Sequence, residues 1–238
     1  MKYMGSKARI SRPISSILNN VILQNDIVQY VEPFVGGSNM IQHIVCPKRY
    51  GLDSNEYLIA MWKALQSGWN PQNHMSREEY TDIRDNKERY PKEMVAIAGF
   101  CATYNAKWFG GYAGLVTTKT GTQRNYYDEA IRNVLGQRSF LKDVIFAQSN
   151  YSAIEPSRLF GAAIYCDPPY AGTTRYKDDF DHKKFWGWAR KMSENNFVYV
   201  SEYGAPEDFE CVWSGEIVTT LDNGSRKNSV EKLFKWKG

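Results

Sequence analysis

The stretch Gly161-Ala-Ala-Ile-Tyr-Cys-Asp-Pro-Pro-Tyr170 decides the fold. Its first six residues are mostly small or apolar and carry no formal charge, which is typical of a strand buried on both faces of a parallel sheet. Two consecutive prolines cannot continue a hydrogen-bond ladder, so the strand must end there. Asp167 and Tyr170 are therefore left at the carboxyl end of the strand, the edge at which open α/β sheets bind ligands.

This strand ending suits an attack by an amino group carried on a planar ring. Such a nitrogen is a poor nucleophile because its lone pair is delocalised, and two acceptors that hold its N–H bonds can localise that pair. Asp167 offers one acceptor, the Pro168 carbonyl offers another, and Tyr170 offers a face on which a flipped base can stack. The alternative is a plain strand-ending turn, because Asp-Pro and Pro-Pro are common in loops.

Composition narrows the class of protein. With 238 residues, 42% hydrophobic and 24% charged, the chain fits one soluble domain that can hold an inserted subdomain. The net charge of +4 is compatible with a nucleic-acid partner. Four scattered cysteines without a histidine at metal spacing predict reduced thiols and no metal site. No apolar run reaches membrane length and no signal peptide is recognisable, so we expect no membrane partner.

A second motif lies near the amino terminus, after a predicted helix that ends near Leu23. Residues 27–31 read as the first strand, Glu32-Pro-Phe-Val-Gly-Gly37 follows, and a helix is predicted to begin near Ser38. A strand, a glycine turn and a helix open a nucleotide-binding unit, in which Gly36 lets the backbone approach a ligand closely. The spacing is not that of a dinucleotide site, and the acidic Glu32 suits a ligand with an ammonium group rather than a phosphate.

Three further residues are candidates for ligand contacts. Asp53 ends the predicted second strand, where it can accept hydrogen bonds from ribose hydroxyls, or it caps the helix predicted at 57–66. Asn150 follows the strand predicted at 144–147 and can meet a purine ring. Lys7 lies in the first turn of the first helix, where a cation opposes the helix dipole, so it either meets an anionic ligand or is simply solvated.

The strand–helix alternation stops between residues 69 and 136. Helices are predicted at 75–89 and 92–104, and a hairpin at 115–118 and 123–127. Lys107, Lys119 and Arg124 lie among aromatic residues there, a pattern that favours contact with DNA, although a solvated loop over a small core is the alternative. A helix at 181–193, a strand at 197–201 and two last strands at 216–221 and 230–236 complete the prediction. Arg226, in the loop between those last strands, either touches phosphate or is an exposed turn residue.

Taken together, these motifs resemble the Dam family of DNA adenine methyltransferases, the D12 class, over essentially the whole chain. The resemblance is carried by Lys2-Tyr-Met-Gly-Ser-Lys7, Glu32–Gly37, Asp53 and Asp167–Tyr170, in that order. It implies an α/β fold, a Rossmann-like methyltransferase sheet with a small, mostly helical target-recognition insert. The catalytic domain would comprise residues 1–68 and 137–238, and the insert residues 69–136.

The same resemblance implies the chemistry. The reaction would be site-specific transfer of a methyl group from S-adenosylmethionine to the N6 amino group of adenine in double-stranded DNA by base flipping. The cofactor contacts would be Tyr3, Lys7, Asp53 and Asp167, with Glu32, Phe34 and Gly36 lining the cofactor pocket. Asp167, Pro168 and Tyr170 would hold the target adenine. The protein would act in the cytoplasm of a bacterial cell or phage-infected host, within or outside a restriction-modification pair.

Two departures and two rival functions stay open at this point. Asn150 stands where many relatives have an acidic residue, and residues 105–114 only loosely resemble the loop of relatives that read GATC, so no recognition sequence is assigned. One rival is a methyltransferase of the same fold that acts on the cytosine amino group or on RNA. The residue at position 167 is Asp rather than Ser, which favours adenine. The other is a non-catalytic DNA-binding protein that retains the fold, against which the intact Asp-Pro-Pro-Tyr motif speaks.

Overall fold

The computed structural model describes residues 1, 7–117, 120–170, 180–220 and 226–238, with the backbone alone for 217–220 and 226–229. Two sheets are present in this part of the chain. The small sheet pairs β3 with β4 in antiparallel fashion, and the large sheet has seven strands in the order β5-β2-β1-β6-β7-β9-β8. The strands are β1 Gln29–Glu32, β2 Lys48–Asp53, β3 Leu115–Thr117, β4 Gln123–Asn125, β5 Val144–Gln148, β6 Ala163–Cys166, β7 Phe197–Glu202, β8 Phe209–Thr220 and β9 Arg226–Trp236.

The order of the large sheet creates a switch point at its centre. The pairings from β5 through β2, β1 and β6 to β7 are parallel, whereas β9 pairs in antiparallel fashion with both β7 and β8. The chain proceeds from β1 outward to β2 and β5, then returns to β6 and continues in the opposite direction. The carboxyl ends of β1 and β6 therefore flank the crevice where doubly wound sheets bind ligands. The predicted Rossmann-like α/β fold is confirmed.

Six α-helices occur in the described residues and cover the large sheet. They are α1 Ser11–Gln24, α2 Glu56–Gln66, α3 Arg77–Asp85, α4 Lys92–Ala96, α5 Tyr126–Leu141 and α6 His182–Ser193. A π-helical turn, Ile97–Cys101, continues α4, so the helical run ends earlier than the 92–104 prediction. The remaining predicted helices and strands are present, with the following differences.

Three predictions of secondary structure were wrong. The helix expected near Ser38 is only a 3₁₀ turn, Ile41–His43, because Ser38 itself has a left-handed φ of 54° that no helix continues. The second strand of the small hairpin ends at Asn125, whose side chain caps α5 by accepting the N–H groups of Tyr127 and Asp128. Strand β8 begins seven residues before the expected 216, because its first half pairs with the end of β9.

The segment between residues 69 and 136 shares its hydrophobic core with the sheet. Tyr80 and Ile83 of α3 and Tyr127 of α5 are buried in the same cluster as Trp62 of α2 and Tyr30 of β1. Helix α5 runs on to Leu141, so the expected boundary at 136 falls within a helix. A second cluster, on the other face, is formed by α6 with β6, β7 and β9.

No helix in the described part of the chain is both long and apolar enough to cross a membrane.

A packing test follows from Gly51 in β2. A Cβ atom there would lie 2.7 Å from Cε1 of Phe146 and 3.0 Å from Cγ2 of Val35, both buried side chains. Gly51→Ala should therefore lower the free energy of unfolding by about 1–3 kcal/mol, the usual cost of overpacking a core. Chemical denaturation followed by circular dichroism measures it.

The matched control is Gly136→Ala. Gly136 is exposed within α5, and nothing lies within 4 Å of the position of its added Cβ. This substitution should raise the free energy of unfolding by about 0.5–1 kcal/mol. Unchanged stability of Gly51→Ala would contradict the tight packing between β2 and the residues that follow β1.

Candidate active site

Three carboxylates meet at one edge of the sheet. Glu32 ends β1, Asp53 ends β2, and Asp167 directly follows β6. These strands are parallel neighbours, in the order β2-β1-β6, so their carboxyl ends lie side by side. The sequence placed all three residues in the site, and the sheet brings them together as expected.

Asp167 is a largely buried acid that pairs with a cation. Its Oδ1 lies 3.0 Å from Lys7 Nζ, and its side chain is 20% exposed. Burial raises the pKa of Asp167 to about 6, although the Lys7 ammonium opposes that rise. The ladder between β6 and β7 ends at Cys166, so Pro168, the residue after Asp167, lies beyond the paired residues.

Lys7 is buried, so the alternative of a solvated lysine is wrong. It opens a 3₁₀ turn, Lys7–Arg9, and its side chain is only 7% exposed. The ammonium lies 3.5 Å from Oε2 of Glu231 as well as close to Asp167, and 4.1 Å from the centroid of the Tyr170 ring. Burial alone would lower the pKa of Lys7, but the two carboxylates raise it above its usual value, so the group stays an ammonium.

Tyr170 is held in place through both its hydroxyl and its ring. Its hydroxyl donates to Oε2 of Glu231 at 2.6 Å, and its ring meets Tyr203 edge to face, with centroids 4.7 Å apart. Sequence reasoning missed Glu231, which lies in β9 at the far end of the chain. The available signal was alternation, because Glu231 shares a strand face with the fully buried Leu233 and is therefore an inward-pointing charge.

Glu32 is a buried acid that has no cation at salt-bridge distance among the described residues. It is 2% exposed and accepts a hydrogen bond of 2.6 Å from the Tyr30 hydroxyl. Burial raises its pKa well above the usual range, against the effect of that hydrogen bond, and the neighbouring Asp167 raises it further. An uncompensated carboxylate of this kind fits a ligand that brings its own positive charge.

Asp53 holds the glycine turn rather than capping a helix. Its Oδ2 accepts the Gly36 N–H at 3.0 Å, and its Oδ1 accepts the Asn55 N–H at 2.9 Å. The cap of α2 is Asn55, whose side chain accepts the Leu58 N–H. Burial raises the pKa of Asp53, while these backbone donors stabilise its charged form. A carboxylate has about four lone-pair sites, so Asp53 retains acceptor capacity for a ligand hydroxyl beside these backbone donors.

The remaining cofactor candidates differ in their surroundings. Phe34 packs into an aromatic group with Tyr151, Phe180 and Phe185, at centroid distances of 5.5, 6.0 and 5.8 Å. Asn150 is exposed, and its Oδ1 accepts both the backbone N–H and the hydroxyl of Ser152. The preceding Ser149 donates its N–H to the Asp53 carbonyl, which places Asn150 beside the end of β2. Tyr3 lies outside the described residues.

The candidates for DNA contact differ in their exposure and in their partners. Lys107 is exposed. Arg124 forms a bidentate ion pair with Glu129, in which Nε and Nη2 lie 2.6 and 2.8 Å from the two carboxylate oxygens, and its guanidinium lies over the Tyr126 ring. Lys119 lies outside the described residues, as does the Arg226 side chain.

Most aromatic residues of that stretch are packing residues. Trp108 contacts Phe100 and Phe109, each at a centroid distance of 4.7 Å, and Phe109 and Tyr112 contact Tyr80. The alternative of a loop over a small core therefore describes these rings. In the described residues no group of three or more His, Cys, Asp or Glu side chains could hold a metal ion.

The sequence between residues 3 and 187 matches the family model of the D12 class N6 adenine-specific DNA methyltransferases. The chain belongs to this family. It is therefore an adenine-specific DNA methyltransferase, its substrate is DNA, and its methyl donor is S-adenosylmethionine. No curated protein matches the chain significantly.

Solved structures with weak similarity cover most of the chain. The rRNA methyltransferase AviRa from Streptomyces viridochromogenes is 11% identical, with a TM-score of 0.40 over 93% of this chain and 84% of that one. TrmN from Thermus thermophilus is 9% identical, with a TM-score of 0.35 over 93% of this chain and 48% of that one. The family assignment rests on the sequence match.

The residues present fit S-adenosylmethionine. The buried Glu32 suits the ammonium of its methionine part, and Asp53 has lone pairs for ribose hydroxyls at the end of the next strand. In the D12 methyltransferase, Gly36 has a positive φ of 44° and no side chain, so its backbone can approach the cofactor closely. Phe34 supplies an apolar wall on the other side of the turn.

Asp53→Ala should have two effects that can be separated. Loss of a charged acceptor should weaken S-adenosylmethionine binding by about 1–3 kcal/mol, and loss of the two backbone contacts should also lower stability without cofactor. Isothermal calorimetry and thermal unfolding measure the two quantities. The exposed Asp143→Ala is the control, and unchanged cofactor affinity in Asp53→Ala would leave Asp53 only its role in the turn.

Proposed function

We propose that this methyltransferase acts on an adenine flipped out of duplex DNA, at the edge formed by Asp167, Pro168 and Tyr170. The observation that carries the proposal is the position of Asp167. Its carboxylate stands directly after a buried central strand, followed in the chain by Pro168, which lies beyond the ladder, and it neighbours Tyr170, whose ring can stack. The Asp167 side chain is only 20% exposed, and enzymes that modify a base generally take it out of the stack to reach such a site, which favours base flipping.

The chain's own residues would localise the amine's lone pair. Asp167 accepts one N–H of the adenine amino group and the Pro168 carbonyl accepts the other, so the nitrogen lone pair points away from the ring plane. Tyr170 supports the base by stacking. When bound, S-adenosylmethionine supplies an electrophilic methyl group on a sulfonium sulfur. The amine's lone pair would form the new N–C bond while the S–C electron pair stays on sulfur, and the methylated amine would then release a proton to water. Proximity and orientation supply most of the rate.

Charge at the site supports this assignment. Three acids, Glu32, Asp167 and Glu231, surround the crevice, and among the described residues Lys7 is the one cation paired with any of them. Burial makes such an excess of acids costly unless a cation arrives. Both reactants supply positive charge, since the donor is cationic and the amine becomes cationic as it reacts. The transition state gains most from a negatively charged pocket.

The segment 69–136 is proposed to read the target sequence. It interrupts the α/β alternation and carries the exposed Lys107. The loop around Lys107 has an unusual backbone conformation, because Asn105, Ala106 and Phe109 all have positive φ. Such a conformation costs energy and persists only where the surrounding contacts fix it. The Thr103 hydroxyl provides such a contact, because its one O–H can donate to the Lys107 carbonyl at 3.0 Å or the Gly111 carbonyl at 3.1 Å.

Strands β8 and β9 also reach the DNA side of the sheet. The last pair between β7 and β9 joins Glu202 to Lys232, whereas the pairing of β8 with β9 continues to Thr220 and Arg226. The hairpin therefore projects beyond the carboxyl end of β7, by roughly 20 Å for six residue pairs. This projection supports a role for Arg226 at phosphate. A cytoplasmic location, where duplex DNA is accessible, is part of the same proposal.

Asp167→Asn tests the chemistry. The change keeps the size of the side chain, but it can present an N–H where an acceptor is needed and removes a charge. Single-turnover methyl transfer with both ligands saturating should slow by roughly 10²-fold or more, while DNA binding persists. Methyl transfer near the parent rate would show that the reaction centre lies elsewhere. Mapping methylated bases in DNA from expressing cells supplies the target sequence for this assay.

Lys107→Ala and Arg124→Ala should differ in their effect on DNA binding. Lys107 is exposed, so its loss should weaken binding and reduce the salt slope by about one unit. Arg124 is already paired with Glu129, so its loss should have the smaller effect. Titrations at several salt concentrations measure both, with cofactor affinity as the control. Equal and parent-like binding by both variants would place the DNA surface outside this segment.

A further inference from the structure

Two cations of the segment 69–136 are held on aromatic rings rather than by carboxylates. The Arg77 guanidinium lies 5.0 Å from the centroid of the Tyr112 ring, and Lys87 Nζ lies 5.1 Å from the centroid of the Phe109 ring. Both distances are within the range of a cation–π contact, which holds the side chain in place and leaves its charge uncancelled. Among the described residues, no carboxylate lies within salt-bridge distance of either cation.

The two rings belong to the loop that carries Lys107. Phe109 and Tyr112 each contact the buried Tyr80 of α3, with centroids 5.5 Å apart. The aliphatic part of the Lys107 side chain lies against Gly110, where an added Cβ would be 2.5 Å from Lys107 Cδ. The three cations around this loop form what we term the basic surface: Arg77, Lys87 and Lys107.

The basic surface begins next to the carboxyl edge of the sheet. Helix α2 starts at that edge, shortly after Asp53, and is capped by Asn55. In the first turn of α2, Tyr57 packs its ring against Trp108, the residue after Lys107, with centroids 5.3 Å apart. The loop is therefore anchored on the side of the molecule where the strand ends form the candidate active site.

The cations and most acids of α3 lie on different sides of the helix. Arg77, Tyr80 and Arg84 follow one another at spacings of three and four residues, so they share a side. The acids that share the neighbouring side, at spacings of four and three, are Glu78, Asp82 and Asp85. Arg77 is also the first residue of α3, where a cation opposes the helix dipole, so the stability of the helix does not explain it.

We propose that the basic surface binds the phosphate backbone of the DNA substrate, so that Arg77 and Lys87 join Lys107 as phosphate contacts. This inference rests on the proposed role of the segment 69–136 in target reading. A cation that is already positioned on a ring loses little side-chain freedom when it meets a phosphate, and it has no carboxylate to leave. Lys87 donates one of its three N–H groups to the Arg84 carbonyl, and the others stay available.

The rings thereby gain a role other than base stacking. Phosphate contacts fix the position of a duplex without distinguishing sequences, so the basic surface would orient DNA over the crevice while other side chains read the bases.

The salt dependence of DNA binding by Arg77→Gln and Lys87→Gln tests the surface, with a duplex that contains the mapped target. Each substitution should lower the slope of log affinity against log salt concentration by about one unit, and the double variant by about two. Arg77→Lys keeps the charge and should retain the parent slope. S-adenosylmethionine affinity should stay within about twofold of the parent, because both positions lie outside the cofactor turn. Thermal unfolding without ligands checks that each variant folds.

Arg84→Gln is the matched control. Arg84 is exposed and lies on the same side of α3 as Arg77, but it forms an ion pair with Asp85 at 2.8 Å. Its loss should change the slope much less than the loss of Arg77, because a cation that is already paired releases fewer counterions when it meets a phosphate. Equal drops in Arg84→Gln and Arg77→Gln would show that only net charge matters and would overturn the inference.

The outcomes separate this inference from the proposed function. If Lys107→Ala lowers the slope while the double variant of Arg77 and Lys87 keeps the parent slope, the inference alone is overturned. If all three substitutions leave the slope unchanged, the DNA surface lies outside the segment 69–136, and the proposed reading role falls with the inference. A drop of about two units in the double variant, with parent-like cofactor affinity, supports both.

Discussion

A buried lysine between two carboxylates holds the reactive edge of this enzyme together. Lys7 comes from the amino-terminal turn, Asp167 from the end of the central strand, and Glu231 from the last strand of the sheet. Removing Lys7 would take away the cation that both carboxylates contact, and burying a charge without its partner costs several kcal/mol. The site therefore forms only when both ends of the chain have reached the sheet. A local fragment that contains the Asp-Pro-Pro-Tyr motif would not reproduce it.

The sheet order explains why the acids gather where they do. The chain leaves β1 in one direction and β6 in the other, so the helices that follow them cannot cover the crevice between their carboxyl ends. Glu32 and Asp167 stand on either side of that crevice. Their burial is unfavourable for the protein alone, as the raised pKa values of both show. In the proposed function, a cationic donor and an amine that gains charge would offset this cost.

The sequence was sufficient for the features that depend on local chemistry. Prolines end β6, a glycine turn follows β1, and alternation of strands with helices predicts the parallel sheet. Glu231 could not be assigned because its role comes from Lys7 and Tyr170, which are distant in sequence. Arg124 was predicted to face DNA because its charge is visible in the sequence, whereas its ion pair with Glu129 requires the geometry of α5. Asp53 was placed at the correct strand end, but its backbone contacts depend on the folded glycine turn.

The glycine turn and the proposed recognition segment are held by the same helices. Trp62 of α2 donates its indole N–H to the Gly36 carbonyl at 3.1 Å, and Tyr57 of the same helix packs its ring against Trp108, with centroids 5.3 Å apart. Gln137, in the helix that returns from the segment, donates to the Gly37 and Ser38 carbonyls. A displacement of the segment would therefore strain the hydrogen bonds that shape the cofactor turn. Packed cores transmit such shifts rather than absorb them, so the proposed recognition segment and the proposed cofactor turn are mechanically coupled through α2 and α5.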